Sequence, residues 1–293
     1  MIHRCVLPPE LDSSRENADS PIDVFWFSLD ETLAASDPDA MSNIVTADEA
    51  AQFSRLRVET VRRRRVAART MLRCLLSAVL HVGPRRIVFE RGTAGKPSIV
   101  WPWTRLHFNV SHSEGLAVVA VSRTVPVGID VEVISKLLSP ETLTRLCGQH
   151  AVRSDLRLGG SPALPDGASR QGDTRSASDR ELLESWVGEE ARRKATGVGW
   201  SGVPIGGEAA SDETRDARLF DETVVSSLSV PLPNHVAALA LADRARTTLP
   251  DVRQWWVSAG DLSAGTLALH AQCLGEDSSD ESSLTPVRSA TYC

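Results

Sequence analysis

Hydrophobic and polar positions alternate strictly from Val127 to Val133. Val127, Ile129, Val131 and Val133 fall on one face of a strand, and Gly128, Asp130 and Glu132 on the other. Two carboxylates therefore share a face, about 6 to 7 Å apart along the strand. Like charges that close repel unless a cation lies between them, so the pattern predicts a strand and a positive partner together. Alternation also marks Leu106 to Val110, which sets Leu106, Phe108 and Val110 against His107 and Asn109 and runs into Ser111-His112-Ser113 at the strand end. Leu116 to Val121 is a continuous apolar run. With turns at Glu114-Gly115 and Val125-Pro126, the three segments 106–110, 116–121 and 127–133 predict an antiparallel meander.

Upstream, Ile22 to Leu29 predicts a buried strand and residues 46–57 a helix. A longer helix is expected from Glu59 to Val82. There Val61, Ala68, Met71, Leu72, Leu75 and Val79 recur at helical spacing, Arg64 and Arg65 lie near that stripe, and Gly83-Pro84 ends it. Ile87 to Glu90 reads as a short strand and Arg91 to Pro97 as a glycine-rich loop. Downstream, Ser178 to Glu181 has the capping-box pattern of a helix running to about Ala195, with Gly197 as its C-terminal cap. Val224 to Ala242 predicts two strands. Residues 152–178 read as a polar, mobile insertion, residues 202–216 as a second flexible stretch, and residues 274–293 as an acidic, disordered tail.

Composition narrows the chemistry. The chain has 293 residues, 42% hydrophobic and 24% charged, which suits a globular protein of one or two domains. A net charge of −6 gives no reason to expect nucleic-acid binding. Cys5, Cys74, Cys147, Cys273 and Cys293 are scattered and odd in number, against a disulfide framework or zinc site and in keeping with a reducing compartment. No signal-peptide core or bilayer-spanning run is present, so a cytoplasmic protein with no membrane partner is expected. Lysine occurs only at Lys96, Lys136 and Lys194, with arginine as the usual cation.

On a helical wheel of residues 178–196, Leu183, Trp186, Val187, Glu190 and Lys194 share one face. A stripe that begins as Leu and Trp thus continues as Glu and Lys. Taken alone, Glu190 and Lys194 are equally an i,i+4 ion pair on a solvated face, worth a few tenths of a kcal/mol. Beside the acidic strand they complete a different set: Asp130, Glu132 and Glu190 as hard oxygen ligands, with Lys194 next to them. A few carboxylates plus substrate phosphates suit Mg²⁺. Gly95-Lys96-Pro97 and Ser111-His112-Ser113 add donors for phosphate, although each is also an ordinary turn sequence.

Four motifs in order resemble the 4′-phosphopantetheinyl transferases of the Sfp type: GKP (95–97), FNVSHS (108–113), VGIDVE (127–132) and WVGEEARRKATGVG (186–199). The Arg/Ala-rich helix RRRRVAARTMLR (62–73) also looks like that family's N-terminal half, and the resemblance extends from about residue 22 to about 245. It implies an α+β fold, a pseudo-dimer of two similar halves, each a small antiparallel sheet packed with a long helix. The halves would span residues 1–125 and 126–260, with the site between them. It implies transfer of the phosphopantetheine arm of coenzyme A to a serine of an apo acyl or peptidyl carrier protein by a monomeric, Mg²⁺-dependent enzyme, releasing adenosine 3′,5′-bisphosphate. Asp130, Glu132 and Glu190 would match the metal ligands, Glu190 also the general base, and Lys194 the group at the pyrophosphate. Gly95, Lys96, Pro97, Ser111 and His112 would match coenzyme A contacts, and Arg64 or Arg65 would hold a further phosphate.

One departure stands out. The family pattern is W-x-x-K-E-A, and here Glu189 replaces the lysine. Either Glu189 turns aside to pair with Arg192 or Arg193, or the chain is a non-catalytic module that binds coenzyme A or a carrier protein.

Overall fold

The computed structural model describes residues 20–92, 95–134, 173–197, 223–243, 245–259 and 269–274. The chain opens with β1 (Ile22–Ser28), three short helices α1 (Leu29–Ala35), α2 (Pro38–Ser42) and α3 (Ala47–Ser54), and the long helix α4 (Glu59–Leu80). A hairpin of β2 (Val88–Arg91) and β3 (Pro97–Trp101) leads to β4 (His107–Ser113), β5 (Leu116–Ser122) and β6 (Val127–Val133). Helix α5 (Asp173–Thr196), β7 (Thr223–Leu228), β8 (His235–Ala242), β9 (Val252–Ala259) and β10 (Leu269–Leu274) complete the α+β fold. No helix among the described residues is long and apolar enough to cross a membrane.

Strand alternation sorts the core into layers. On β1, Phe25 and Phe27 face α4, while Ile22, Val24 and Trp26 face away from it. On β5, Ala117, Val119 and Val121 join the α4 side, and Leu116, Val118 and Ala120 the other. Those outward residues meet Val127, Ile129 and Val131 of β6 and Ala237, Leu239 and Leu241 of β8. The far face of β8, with Val236, Ala238 and Ala240, packs on Leu183, Val187, Ala191 and Ala195 of α5. The order is therefore helix, sheet, sheet, helix. Because both sheets are covered on both faces, the inner strands β1, β5 and β8 read as near-continuous apolar runs.

The two sheets have related topology. The larger has strand order β10-β9-β1-β5-β4 and the smaller β6-β8-β7. In each, a strand precedes a long helix and two further strands, and the last strand lies between the other two, antiparallel to both (β1, α4, β4, β5 and β6, α5, β7, β8). This repeat is consistent with two similar halves.

Several expectations need correcting. β6 does not continue a meander with β4 and β5; it leaves that sheet and pairs with β8. Ser111-His112-Ser113 is at the strand end as expected, but as the last three residues of β4, which runs to Ser113 and not to Val110. Pro97 starts a strand that the loop reading concealed, at a position where proline is tolerated. Helix α5 begins at Asp173, ahead of the Ser178 capping pattern and inside the expected insertion. Strands β9 and β10, which carry no sequence-based expectation, return to the first sheet, where β9 runs parallel to β1. Residues 152–172, residues 202–216 and the tail beyond Leu274 lie outside the described residues.

Candidate active site

The site forms where the edges of the two sheets meet. β4 is the outer strand of the larger sheet and β6 of the smaller, and β4 meets β6 with side chains instead of a backbone ladder. Asn109 Oδ1 accepts the Ile129 N–H at 2.8 Å, and Ser113 Oγ accepts the Val133 N–H at 3.1 Å. Ser111 Oγ donates to Asp130 Oδ1 at 2.7 Å, and Ser113 Oγ donates to Glu132 Oε2 at 2.8 Å. Asn109, Ser111 and Ser113 all lie on one face of β4, as period-two alternation requires. They satisfy edge groups that would otherwise be left without partners.

Helix α5 closes the site from the other side. Its apolar stripe is Leu183, Val187, Ala191 and Ala195, all buried. The two alanines let the helix lie directly on Gly128. A Cβ at Gly128 would stand 2.0 Å from Ala191 O and 2.3 Å from Ala195 N, so only glycine permits this approach. Lys194 is thereby brought over β6, where its Nζ donates to Asp130 Oδ1 at 2.6 Å, to Ser111 Oγ at 3.1 Å and to Ile129 O at 3.3 Å. The Asp130 side chain is 5% exposed. A carboxylate so enclosed is costly unless paired, and Lys194 supplies the pairing.

Glu190 sits one turn before Lys194. Burial, followed by the nearby charge of Asp130, pushes its carboxyl up to about 7, against the opposing pull of Lys194 and Arg193. Asp130 Oδ2 and Glu190 Oε1 are both buried without a hydrogen-bond partner. Two orphaned carboxylate oxygens on groups near enough to repel are a destabilising arrangement in isolation and a suitable one for a hard cation, which takes oxygen ligands. Glu132 engages Ser113, and among the described residues no three His, Cys, Asp or Glu side chains gather as a ready-made metal cage. Glu189 turns aside: its Oε1 pairs with Arg193 Nη2 at 3.0 Å.

The other expected residues are distributed around this centre. Ser111 is in it. His112 lies on the opposite face of β4, the one that carries Phe108 and Val110 into the core under α4. Gly95 has φ +81°, a left-handed conformation that favours glycine. Lys96 Nζ donates to Val127 O at 3.0 Å and to Ala195 O at 3.3 Å. Its burial lowers the ammonium to about 8. Burial and the Lys96 charge together push His107 down.

Arg64 is held bidentately by Asp30, at 2.9 and 2.7 Å. Arg65 falls elsewhere on α4, where burial and Arg91 lower its pKa. Arg69 joins these two. It packs 5.1 Å from the Phe89 ring centroid, and its Nη1 is buried without a partner. The sequence reading missed Arg69, Arg91 and Asn109, took Ser113 only as a donor for phosphate, and gave Gly128 no role of its own. Asn109 and Ser113 carried a signal, since they share the alternating face of Ser111.

Fold and seam together define an α+β enzyme whose acidic centre is braced by lysine. A family model described as 4′-phosphopantetheinyl transferase, N-terminal, matches residues 34–124. The 4′-phosphopantetheinyl transferase HetI of Nostoc sp. is 32% identical over 201 residues, covering 68% of this chain and 78% of that protein. The 4′-phosphopantetheinyl transferase gsp of Aneurinibacillus migulanus is 39% identical over 67 residues, 23% of this chain and 27% of that one. The chain belongs to the 4′-phosphopantetheinyl transferase family and is an enzyme of that type.

Proposed function

We propose that this enzyme transfers the 4′-phosphopantetheine arm of coenzyme A to a serine of an apo acyl or peptidyl carrier protein in a Mg²⁺-dependent reaction. The serine oxygen forms a bond to the phosphorus bearing the pantetheine arm, the bond from that phosphorus to the bridging oxygen breaks, and adenosine 3′,5′-bisphosphate leaves. The observation that carries this reading is the pair of buried, unpartnered oxygens, Asp130 Oδ2 and Glu190 Oε1, next to Lys194. Asp130 and Glu190 would hold Mg²⁺, with Glu132, engaged here by Ser113, as the third ligand that the resemblance implies, and the ion when bound would offset charge on the pyrophosphate.

The protein's own groups account for the rest. A serine hydroxyl is a weak nucleophile until a base removes its proton. Glu190, one turn before Lys194 on α5, is the group that the resemblance implies as the base for that proton. Lys194 presents a fixed positive charge where the leaving oxygen becomes anionic. Gly95, Lys96, Pro97, Ser111 and His112 are the coenzyme A contacts that the resemblance implies. Arg65 and Arg91, with Arg69, whose Nε pairs with Glu49 at 3.4 Å but whose Nη1 is buried without a partner, form the basic group best suited to a further phosphate, since Arg64 is held bidentately by Asp30. In this reading residues 1–125 and 126–260 are the two halves, and the protein acts as a cytoplasmic monomer. Glu190→Gln tests the assignment: transfer should be lost with the fold intact, and retained transfer would reject both the base and the ligand role.

A further inference from the structure

Lys96 belongs to the hairpin loop of the first half, yet its ammonium donates to two carbonyls of the second. Val127 O is the first carbonyl of β6, and Ala195 O lies in the last turn of α5. The last four carbonyls of a helix have no partner within it. A cation there also complements the negative end of the helix dipole. Val127 precedes Gly128, and Ala195 follows Lys194. One ammonium therefore joins the two chain segments that flank the closest approach of helix and strand, where a Gly128 Cβ would lie 2.3 Å from Ala195 N. An ammonium has three donors, and two are spent on these carbonyls.

We propose that Lys96 is a positioning residue: it clamps the end of α5 to the start of β6 and so sets Lys194 against Asp130. Its role in transfer rests on the transferase reading above, but runs through Lys194, in place of the coenzyme A contact that the resemblance implies for Lys96. A residue that contacts a coenzyme A phosphate contributes to binding and appears in KM, whereas one that aligns Lys194 appears in kcat.

The test compares Lys96→Met, which keeps the stem and removes the donors, with Lys96→Arg, which keeps donors and charge. Expected for Lys96→Met is a kcat lower by about 10- to 100-fold with KM for coenzyme A within about two-fold of wild type, and recovery of most of the rate in Lys96→Arg. Backbone amide exchange gives a readout independent of turnover. The Gly197 N–H, bonded to Arg193 O at 2.9 Å, should exchange faster in Lys96→Met than in wild type. A tenfold rise in KM with kcat intact, or unchanged exchange at Gly197, would overturn the clamp. Should wild type transfer nothing, the transferase reading falls, and the exchange comparison still decides the role of Lys96.

Discussion

Replacing Gly128 by alanine puts a methyl group where helix α5 already lies. The new Cβ would stand 2.0 Å from Ala191 O, 2.3 Å from Ala195 N and 2.9 Å from Ala195 Cα. All three are helix backbone atoms, which cannot rotate away as a side chain would. To reach ordinary contact the helix must withdraw by roughly 1 to 1.5 Å. The Lys194–Asp130 bond, 2.6 Å long, would then stretch beyond hydrogen-bonding range unless the lysine re-extends. Overpacking of this kind costs about 1 to 3 kcal/mol, and a displacement near 1 Å at a reacting centre lowers turnover about 100-fold. Gly188→Ala, in the same helix, is the matched control. Its Cβ would meet only Val225 Cγ1, at 3.7 Å, and alanine in a helix interior is favoured over glycine by about 0.5 to 1 kcal/mol. Thermal melts and transfer assays on both variants should therefore move in opposite directions in stability, with activity lost only in Gly128→Ala. A Gly128→Ala protein with wild-type melting and turnover would refute the close approach and the account of Lys194 built on it.

Other predictions follow from the charges. In metal-free buffer, Glu190 holds its proton to about pH 7 when folded and to about 4.5 when unfolded. The folded state thus binds more protons across that window, and stability falls as pH rises through it; urea melts of Glu190→Gln should show a flatter profile there, and an unchanged slope would count against a buried Glu190. Glu49 behaves oppositely: burial raises its carboxyl, but Arg73, the Thr46 N–H and Arg69 outweigh that and leave it below its ordinary value. Its contribution is present above about pH 4.5 and lost as pH falls through the lowered value. Glu49→Gln removes the carboxylate that holds Arg73 Nε and Nη2 at 2.8 Å, while Pro84 O and Ile87 O keep Nη1; it should cost about 1.5 to 3 kcal/mol at pH 7 and little in acid, and an equal cost at both pH values would contradict this. Glu189→Lys replaces the Glu189–Arg193 ion pair with two cations one turn apart, so melting temperature and transfer should both fall, and transfer that appears only in this variant would identify the native chain as a non-catalytic binder.

The legible parts of the fold and site were those governed by local period. The alternation of 127–133 placed Val127, Ile129 and Val131 in the core and Asp130 on the face that meets α5, as the structure has them. The helix carrying Glu190 and Lys194 was readable from Leu183, Trp186 and Val187. What stayed hidden depends on distant segments meeting. Asn109 and Ser113 look like ordinary strand polars until β6 arrives as the edge they satisfy. Gly128 shows its need for a missing Cβ only once Ala191 and Ala195 lie on it. β9 pairs with β1 across some two hundred positions, a contact no local pattern announces. His112 and Ser111 entered together as coenzyme A contacts that the resemblance implies, and β4 sets them on opposite faces, as adjacent strand residues must be.

The central claim is that Asp130, Glu190 and Lys194 form a working transferase centre. Intact mass spectrometry of a panel of apo carrier proteins, incubated with the enzyme, coenzyme A and Mg²⁺, tests it most directly. The account predicts a gain of one phosphopantetheine arm on at least one carrier, dependent on Mg²⁺ and absent with Glu190→Gln. No mass gain on any carrier, with the enzyme folded, or an undiminished gain with Glu190→Gln, would contradict it.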